Sequence, residues 1–120
     1  MSWQDSPKKT FTAGEDLEAY RRVKLKAGTT VDPPEVVYAD AGEACIGITE
    51  YAKSANELIS IRLKNAAGTF EVEASTTCAI GADLYGSADG KVSTTSNGSV
   101  QATALEASAA GGDVIEALLS

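Results

Sequence analysis

The sequence predicts a small all-β domain, a compact β-sandwich or barrel-like structure built from a duplicated β unit and preceded by an extended N-terminal arm. Apolar and polar residues alternate with a period of two over several short segments, and Gly-containing turns separate these segments. The two halves of the chain also resemble each other. Because 120 residues is a usual length for one compact domain, we assign residues 1–12 to the arm and residues 13–120 to a single β domain.

The arm differs from the rest of the chain because it shows no sustained periodicity. It combines Ser, Gln and Thr with five residues of other kinds: Trp3, Pro7, Lys8, Lys9 and Phe11. One interpretation is a frayed terminus without a role, since domain ends are often poorly ordered. The other is a binding arm, because a large aromatic side chain in a polar segment is typical of an interface anchor. The sequence leaves both interpretations open.

The clearest strand lies at residues 58–64, where three branched apolar side chains fall on one face and polar side chains fall on the other. Residues 65–68 then supply turn chemistry, and residues 69–74 alternate again with Phe, Val and Ala facing inward. The pattern predicts a hairpin formed by these two strands.

A second hairpin is predicted at Asn97-Gly98, the pair best suited to the two positive φ angles of a type I′ turn. Residues 36–38 and 44–48 read as further strands after an extended Pro-Pro segment. Only residues 101–110 compete as a helix, and a Gly-Gly pair follows at once, which leaves few turns to propagate. Helix is therefore expected to be scarce.

The internal repeat rests on two matches. Residues 13–17 echo residues 80–84, an offset of 67, and residues 49–63 echo residues 105–119, an offset of 56. Because the two offsets differ by 11, the halves are related loosely. The repeat predicts a β unit that occurs twice and closes on itself.

Charge argues against a nucleic-acid partner. The formal net charge is −7, whereas affinity for nucleic acid comes mostly from Lys and Arg that neutralise phosphates. The charge is also uneven: residues 1–64 carry nine basic and ten acidic side chains, and residues 65–120 carry one lysine against seven acids. One end or face should therefore be strongly anionic.

Cys45 and Cys78 are too few for a disulfide framework, so we expect both as free thiols. No positively charged start is followed by an apolar stretch, and the uninterrupted apolar runs span only a few residues. We therefore expect a protein made in the cytoplasm that has no membrane partner.

Residues suited to catalysis are scarce. The chain has no histidine, which removes the commonest general base near neutral pH and the commonest metal ligand. No acidic segment has the spacing of a calcium loop, and Asp89-Gly90 is better explained as a turn. We expect no enzyme activity, no cofactor and no metal.

One basic cluster stands out at residues 20–26. A strand here places Arg22, Lys24 and Lys26 on one face, opposite Val23 and Leu25. The plain interpretation is an edge strand protected by lysines. The functional alternative is electrostatic complementarity with the acidic surface of a partner or of a neighbouring subunit, which guides docking more than it adds affinity.

The order of these segments also carries a family resemblance. A Gly-x-Asp-Leu segment, a Gly turn, a Gly-Ile-Thr-Glu or Ala-Leu-Glu-Ala strand, a small acidic loop and a closing Val-Ile or Leu-Ile strand are similar to the decoration, or cement, proteins of tailed-bacteriophage capsids. The resemblance covers about residues 11–119. It implies a structural protein that binds the outside of a phage head as a trimer, at three-fold or quasi-three-fold positions, and stabilises the expanded shell.

The resemblance implies two partners, the major capsid protein and further copies of the chain, and a place on the outer surface of the virion capsid. The capsid-binding candidates are the anchors and cations of the arm and of the basic cluster: Trp3, Lys8, Lys9, Phe11, Arg22, Lys24 and Lys26. The alternative function is a carbohydrate-binding or adhesive β module of a surface protein. Shallow sugar sites usually need exposed aromatic side chains, and this chain has few aromatics.

Overall fold

The computed structural model describes residues 8–66 and 68–119. Regular structure in these residues consists of strands and a short 3₁₀ turn, Ala88–Gly90. The strands are β1 Lys8–Ala13, β2 Arg22–Leu25, β3 Glu35–Tyr38, β4 Gly47–Thr49, β5 Leu58–Leu63, β6 Phe70–Glu73, β7 Asp83–Gly86, β8 Val92–Ser93, β9 Val100–Ala104 and β10 Val114–Leu119. Over these ranges no helix is long and apolar enough to span a membrane. The all-β prediction is confirmed.

The strands form two five-stranded units. The first unit is a closed barrel with the strand order β1-β3-β2-β4-β5, in which β1 pairs antiparallel with β5 and parallel with β3. The second unit is a sheet with the order β6-β10-β9-β7-β8. Strand for strand, β1 to β5 correspond to β6 to β10, so the predicted duplication of a β unit is confirmed.

The outer strands of the second unit, β6 and β8, come close to closing that sheet into a barrel, as β1 and β3 do in the first unit. In the barrel, Ala13 pairs in parallel with Val36, and in the second unit a single parallel bridge joins Ala74 to Val92. The two units differ in the next hydrogen bond, which is donated by the residue before this pair in β1 and in β6. The Thr12 N–H donates to the Pro34 carbonyl within the barrel, at 2.9 Å, whereas the corresponding Glu73 N–H donates to Tyr20 of the first unit, also at 2.9 Å. The first unit thus completes the edge of the second.

The register of the repeat is confirmed in one part and wrong in the other. Strand β10 begins 56 residues after β5 (114 − 58), as the second sequence match predicts. The part of that match at β4 is displaced by one residue, because Ile48 corresponds to Thr103, an offset of 55 (103 − 48). The offset of 67 is wrong, because Arg22 pairs with Ile48 as Asp83 pairs with Thr103, which gives an offset of 61 (83 − 22). The Gly-x-Asp-Leu pattern does not mark equivalent positions, because it precedes β2 in one unit and runs into β7 in the other.

The two predicted hairpins are also wrong, although their strands exist. Strand β5 pairs with β1 and β4, whereas β6 pairs with β10. Likewise β8 pairs with β7, and β9 pairs with β7 and β10. A turn sequence reports only local backbone geometry. The partner of each strand is set by closure of its own unit, so residues 64–69 connect the units instead of forming a hairpin loop.

The N-terminal boundary requires a further correction. Residues 8–12, assigned to the arm, belong to β1, which forms five residue pairs with β5. The alternation in β1 is too short to stand out in the sequence: Phe11 and Ala13 are buried, while the residues between and before them are more exposed. The remaining arm residues, 1–7, lie outside the described residues.

Each unit has its own small core. The barrel core contains Phe11, Ala13, Leu17, Val23, Val36, Ile59 and Ile61. The core of the second unit contains Phe70, Val72, Ala74, Leu84, Val92, Ala102, Ala104, Ile115 and Ala117, together with Ile48 of the first unit. Each cluster of buried residues includes one aromatic ring and several small side chains. Ile48 lies on the outer face of the barrel, and its burial in the second core joins the two units.

Candidate functional site: surface cations and the junction between the units

Two of the predicted capsid-binding residues are buried, which corrects their assignment as docking groups. The Phe11 side chain is 5% exposed and lies in the barrel core. Arg22 is fully buried. The strand pattern placed Arg22 correctly on the same face as Lys24, but it contained no sign that the second unit covers that end of β2.

Arg22 instead holds the units together. Its guanidinium donates hydrogen bonds of 2.9 to 3.3 Å to five backbone carbonyls: Ala39, Asp40, Glu43, Ser87 and Lys91. The last two carbonyls belong to the second unit. Burial lowers the pKa of the Arg22 guanidinium from its ordinary value, but an arginine stays protonated in any protein because that ordinary value is so high. The charge is stabilised directly by carbonyl dipoles, and the carboxylates of Asp40 and Glu43 add an attraction that partly opposes the effect of burial.

The lysines of the basic cluster remain at the surface, and each has an ion-pair partner. Lys24 pairs with Glu43 at 2.5 Å, and Lys26 pairs with Glu35 at 3.5 Å. The hydrogen bond from Lys24 lowers the pKa of the Glu43 carboxyl. Exposed pairs of this kind contribute little to stability because water and salt screen them. The ammonium groups can therefore exchange partners when another acidic surface approaches.

The cations of β1 lie apart from those of β2. Lys8 is half exposed and pairs with Glu50 at 2.7 Å. Strand β3 lies between β1 and β2, and it pairs with β1 only through the last two residues of that strand. Lys8 and Lys9 are at the opposite end of β1, so the structure does not bring the two pairs of lysines into one patch. Trp3 lies outside the described residues.

A cleft between the units was not predicted. It has a volume of about 340 Å³ and is lined by Tyr20, Ile48, Glu50, Arg62, Thr69, Phe70, Glu71 and Glu116. The Arg62 guanidinium lies 4.1 Å from the centre of the Phe70 ring and also donates to the Thr69 carbonyl. No sequence signal could have found this cleft, because its walls come from different units and meet only through the packing of one unit on the other.

The described residues offer little reactive chemistry. Across residues 8–66 and 68–119, no three Cys, Asp or Glu side chains are placed to hold a metal ion. Both cysteines are free thiols, as predicted. Cys45 is buried, and this burial raises the pKa of its thiol, which keeps it protonated and poorly nucleophilic.

Comparison with known proteins identifies a similar fold and a family. Among solved structures, the fold is similar to the crystal structure of head fiber gp8.5 N base in bacteriophage phi29, with a TM-score of 0.81 and 19% sequence identity. The match covers 94% of this chain and 92% of that chain, and at this identity it shows the fold alone. No curated protein matches the chain. The profile of the phage cement protein family matches residues 7–119. The chain therefore belongs to the phage cement protein family and is a structural protein associated with the phage capsid.

Proposed function

We propose that the protein binds the outside of the phage head as a trimer, at three-fold or quasi-three-fold positions, and stabilises the expanded shell. The observation that carries the proposal is the family match over residues 7–119. Contact with the major capsid protein and synthesis in the host cytoplasm belong to the same proposal, and two free thiols suit a reducing compartment. The proposed role is binding, without catalysis.

The proposed mechanism is multivalent attachment. A trimer engages three equivalent capsid sites at once, so that individually weak contacts add up through effective concentration. If the sites exist only on the expanded shell, binding shifts the population of shells toward that state. Each unit has a small core with one aromatic ring among its buried residues, so association with other subunits would add stability.

The capsid-contacting groups are proposed among the candidates that the structure does not show to be buried. Lys8, Lys9, Lys24 and Lys26 supply the positive charge. Trp3, which lies outside the described residues, is the candidate anchor. Phe11 and Arg22 are excluded because both are buried.

Light scattering and a reconstruction of decorated heads test the trimer. The expected mass in solution or after release from heads is three times 12.3 kDa, and the expected density has three copies around each three-fold position. Single copies away from three-fold positions would disprove the proposal.

Removing residues 1–7 is expected to weaken binding to heads by tenfold or more, or about 1.4 kcal/mol per site. An extended segment of seven residues reaches about 23 Å, enough to contact a neighbouring capsid subunit. The melting temperature should stay nearly unchanged, because the cut leaves β1 intact. Binding can be measured by co-sedimentation with heads. Removal of residues 1–12 is the structural control, since it deletes most of β1 and should unfold the barrel. If the protein without residues 1–7 binds heads as tightly as the whole chain, the arm is a terminus without a role.

Neutralising Lys24 and Lys26 together, as Lys24→Gln with Lys26→Gln, is expected to slow association with heads and to flatten its dependence on salt. Charges at the rim of an interface act mainly on the association rate. Lys53→Gln with Lys64→Gln removes the same charge elsewhere on the first unit and should leave both properties unchanged. Association kinetics at two salt concentrations measure the effect. Equal kinetics for both double variants would mean that the β2 lysines only protect a solvated face.

A further inference from the structure

The contact between the two units uses one well-defined face of the first unit. Arg22, Ile48 and Arg62 are direct neighbours across β2, β4 and β5. We call this row the junction face. Ile48 is 1% exposed within the core of the second unit, Arg22 bonds to two carbonyls of that unit, and Arg62 lies over the Phe70 ring. The junction face therefore binds a β unit of the same fold.

The second unit carries the same face without a cover. Asp83, Thr103 and Leu118 are neighbours across β7, β9 and β10, in the positions that Arg22, Ile48 and Arg62 occupy in the first unit. We call the row of Asp83, Thr103 and Leu118 the counterpart face. Leu118 is 51% exposed and Asp83 is also exposed.

Two more exposed apolar side chains extend the counterpart face. Leu105 is 38% exposed and follows Thr103 by two residues, on the same side of the chain. The Gly81 N–H donates to the Ala104 carbonyl at 2.7 Å, which brings Ile80, 71% exposed, to the same end of β9. Contiguous apolar residues at a surface, bordered by acidic ones, are typical of protein interfaces. The corresponding residues in the first unit, Ala19 and Glu50, are not large apolar residues.

Charge indicates which surface can cover the counterpart face. Residues 65–120 carry one basic and seven acidic side chains, a formal charge of −6, whereas residues 8–64 carry nine of each. If two counterpart faces met, two acidic units would lie against each other. The Asp83 carboxylates of both faces would then repel. The barrel of another copy carries no such excess, and its exposed lysines complement the acidic unit.

The contact within the chain is of the head-to-tail kind. It joins different surfaces of two related units, the junction face of one and the β6 edge of the other. Contacts between different surfaces of equivalent units produce rings when the rotation closes. In the barrel, the edge equivalent to β6 is sealed by the hydrogen bond from Thr12 to Pro34. A contact between copies must therefore be made by side chains and not by backbone hydrogen bonds at this edge. The apolar residues of the counterpart face can make such a contact.

We propose that the counterpart face binds the barrel of a second copy of this chain, head to tail, and that three such contacts close the trimer. The inference rests on the trimer of the proposed function and adds which face of the second unit meets the barrel of the next copy. Each chain then contributes two β units to a ring of alternating first and second units.

The test introduces one carboxylate at the centre of the counterpart face, as Leu118→Asp, with Leu105→Asp as a second variant. Thr77→Asp is the matched control. It adds the same charge at an exposed position of the same unit, and the corresponding residue of the first unit is Asp16. Thermal unfolding verifies that each variant is folded. We expect both leucine variants to dissociate to monomers with at least a tenfold higher dissociation constant by light scattering, while Thr77→Asp stays trimeric.

A comparison of hydrogen exchange in the wild-type trimer and in the diluted monomer tests whether the barrel takes part in the contact. Added protection is expected at residues 80–85, 103–106 and 116–119, and also in the barrel. Protection confined to the second unit would overturn the head-to-tail arrangement.

Three outcomes of the variants separate the inference from the function. Leucine variants that remain trimeric and still decorate heads would overturn the inference and leave the proposed function standing. Leucine variants that remain trimeric but no longer bind heads would reassign the counterpart face to the capsid and also overturn it. A wild-type protein that is monomeric both in solution and on heads would remove the trimer itself, and that result needs no variant.

Discussion

Replacing Arg22 with methionine is expected to lower the free energy of unfolding by about 3–5 kcal/mol. Methionine fills part of the same volume but donates no hydrogen bond. Five backbone carbonyls that now receive hydrogen bonds from the guanidinium would lose them, at a site from which water is largely excluded. An acceptor left without a partner in such a place retains its full desolvation cost. Urea denaturation followed by circular dichroism measures the change.

Lys24→Met is the control for this substitution, because Lys24 is two residues along the same strand face and its ion pair is partly exposed. It should change stability by no more than about 1 kcal/mol. If Arg22→Met destabilised the protein no more than Lys24→Met does, the guanidinium would not be what joins the two units.

Gly90→Ala is expected to be the second most damaging change, with a loss of about 2–4 kcal/mol. Gly90 has φ +75°, and a Cβ added there would lie 2.5 Å from the Arg22 carbonyl oxygen and 3.0 Å from its backbone nitrogen. Backbone atoms of β2 cannot move aside without loosening the contact between the units. The loss therefore combines strain at a left-handed φ with forced separation of the 3₁₀ turn from β2.

Gly28→Ala separates these two costs. Gly28 has φ +73°, almost the same as Gly90, but a Cβ there meets nothing within 4 Å. Gly28→Ala should lower the free energy of unfolding by only about 1 kcal/mol, which is the cost of a side chain at a left-handed φ. Parallel denaturant titrations give the difference between the variants. Equal losses would mean that the approach of Gly90 to β2 contributes nothing.

The sequence predicted the local features of this fold well. Period-two alternation located strands such as β5 and β6 because burial of one sheet face imposes that period on any strand. The duplication was also visible, since β5 and β10 keep the same order of apolar residues. These signals lie within short stretches of chain, where side-chain chemistry reports directly on the backbone.

The pairing of strands and the burial of Arg22 could not be predicted in this way. The turn residues after β5 suit a tight reversal, yet β6 belongs to the other unit. Nothing in residues 20–26 distinguishes an arginine that faces water from one that faces Ser87, which is 65 residues away in the chain. Contacts of this length depend on how one unit packs on another, and an isolated strand pattern contains no information about that packing.

The hydrogen bond from Glu73 to Tyr20 has a consequence for the order of folding. The barrel closes its own edge through Pro34, so the first unit contains every strand and every edge bond that it needs. In the second unit, the corresponding N–H of Glu73 has its acceptor, the Tyr20 carbonyl, in the first unit. As the chain leaves the ribosome, the barrel emerges first and can close before β6 is made, since domains fold from the N-terminal end during synthesis. We therefore expect the barrel to form first and to offer the second unit a preformed surface on which to fold.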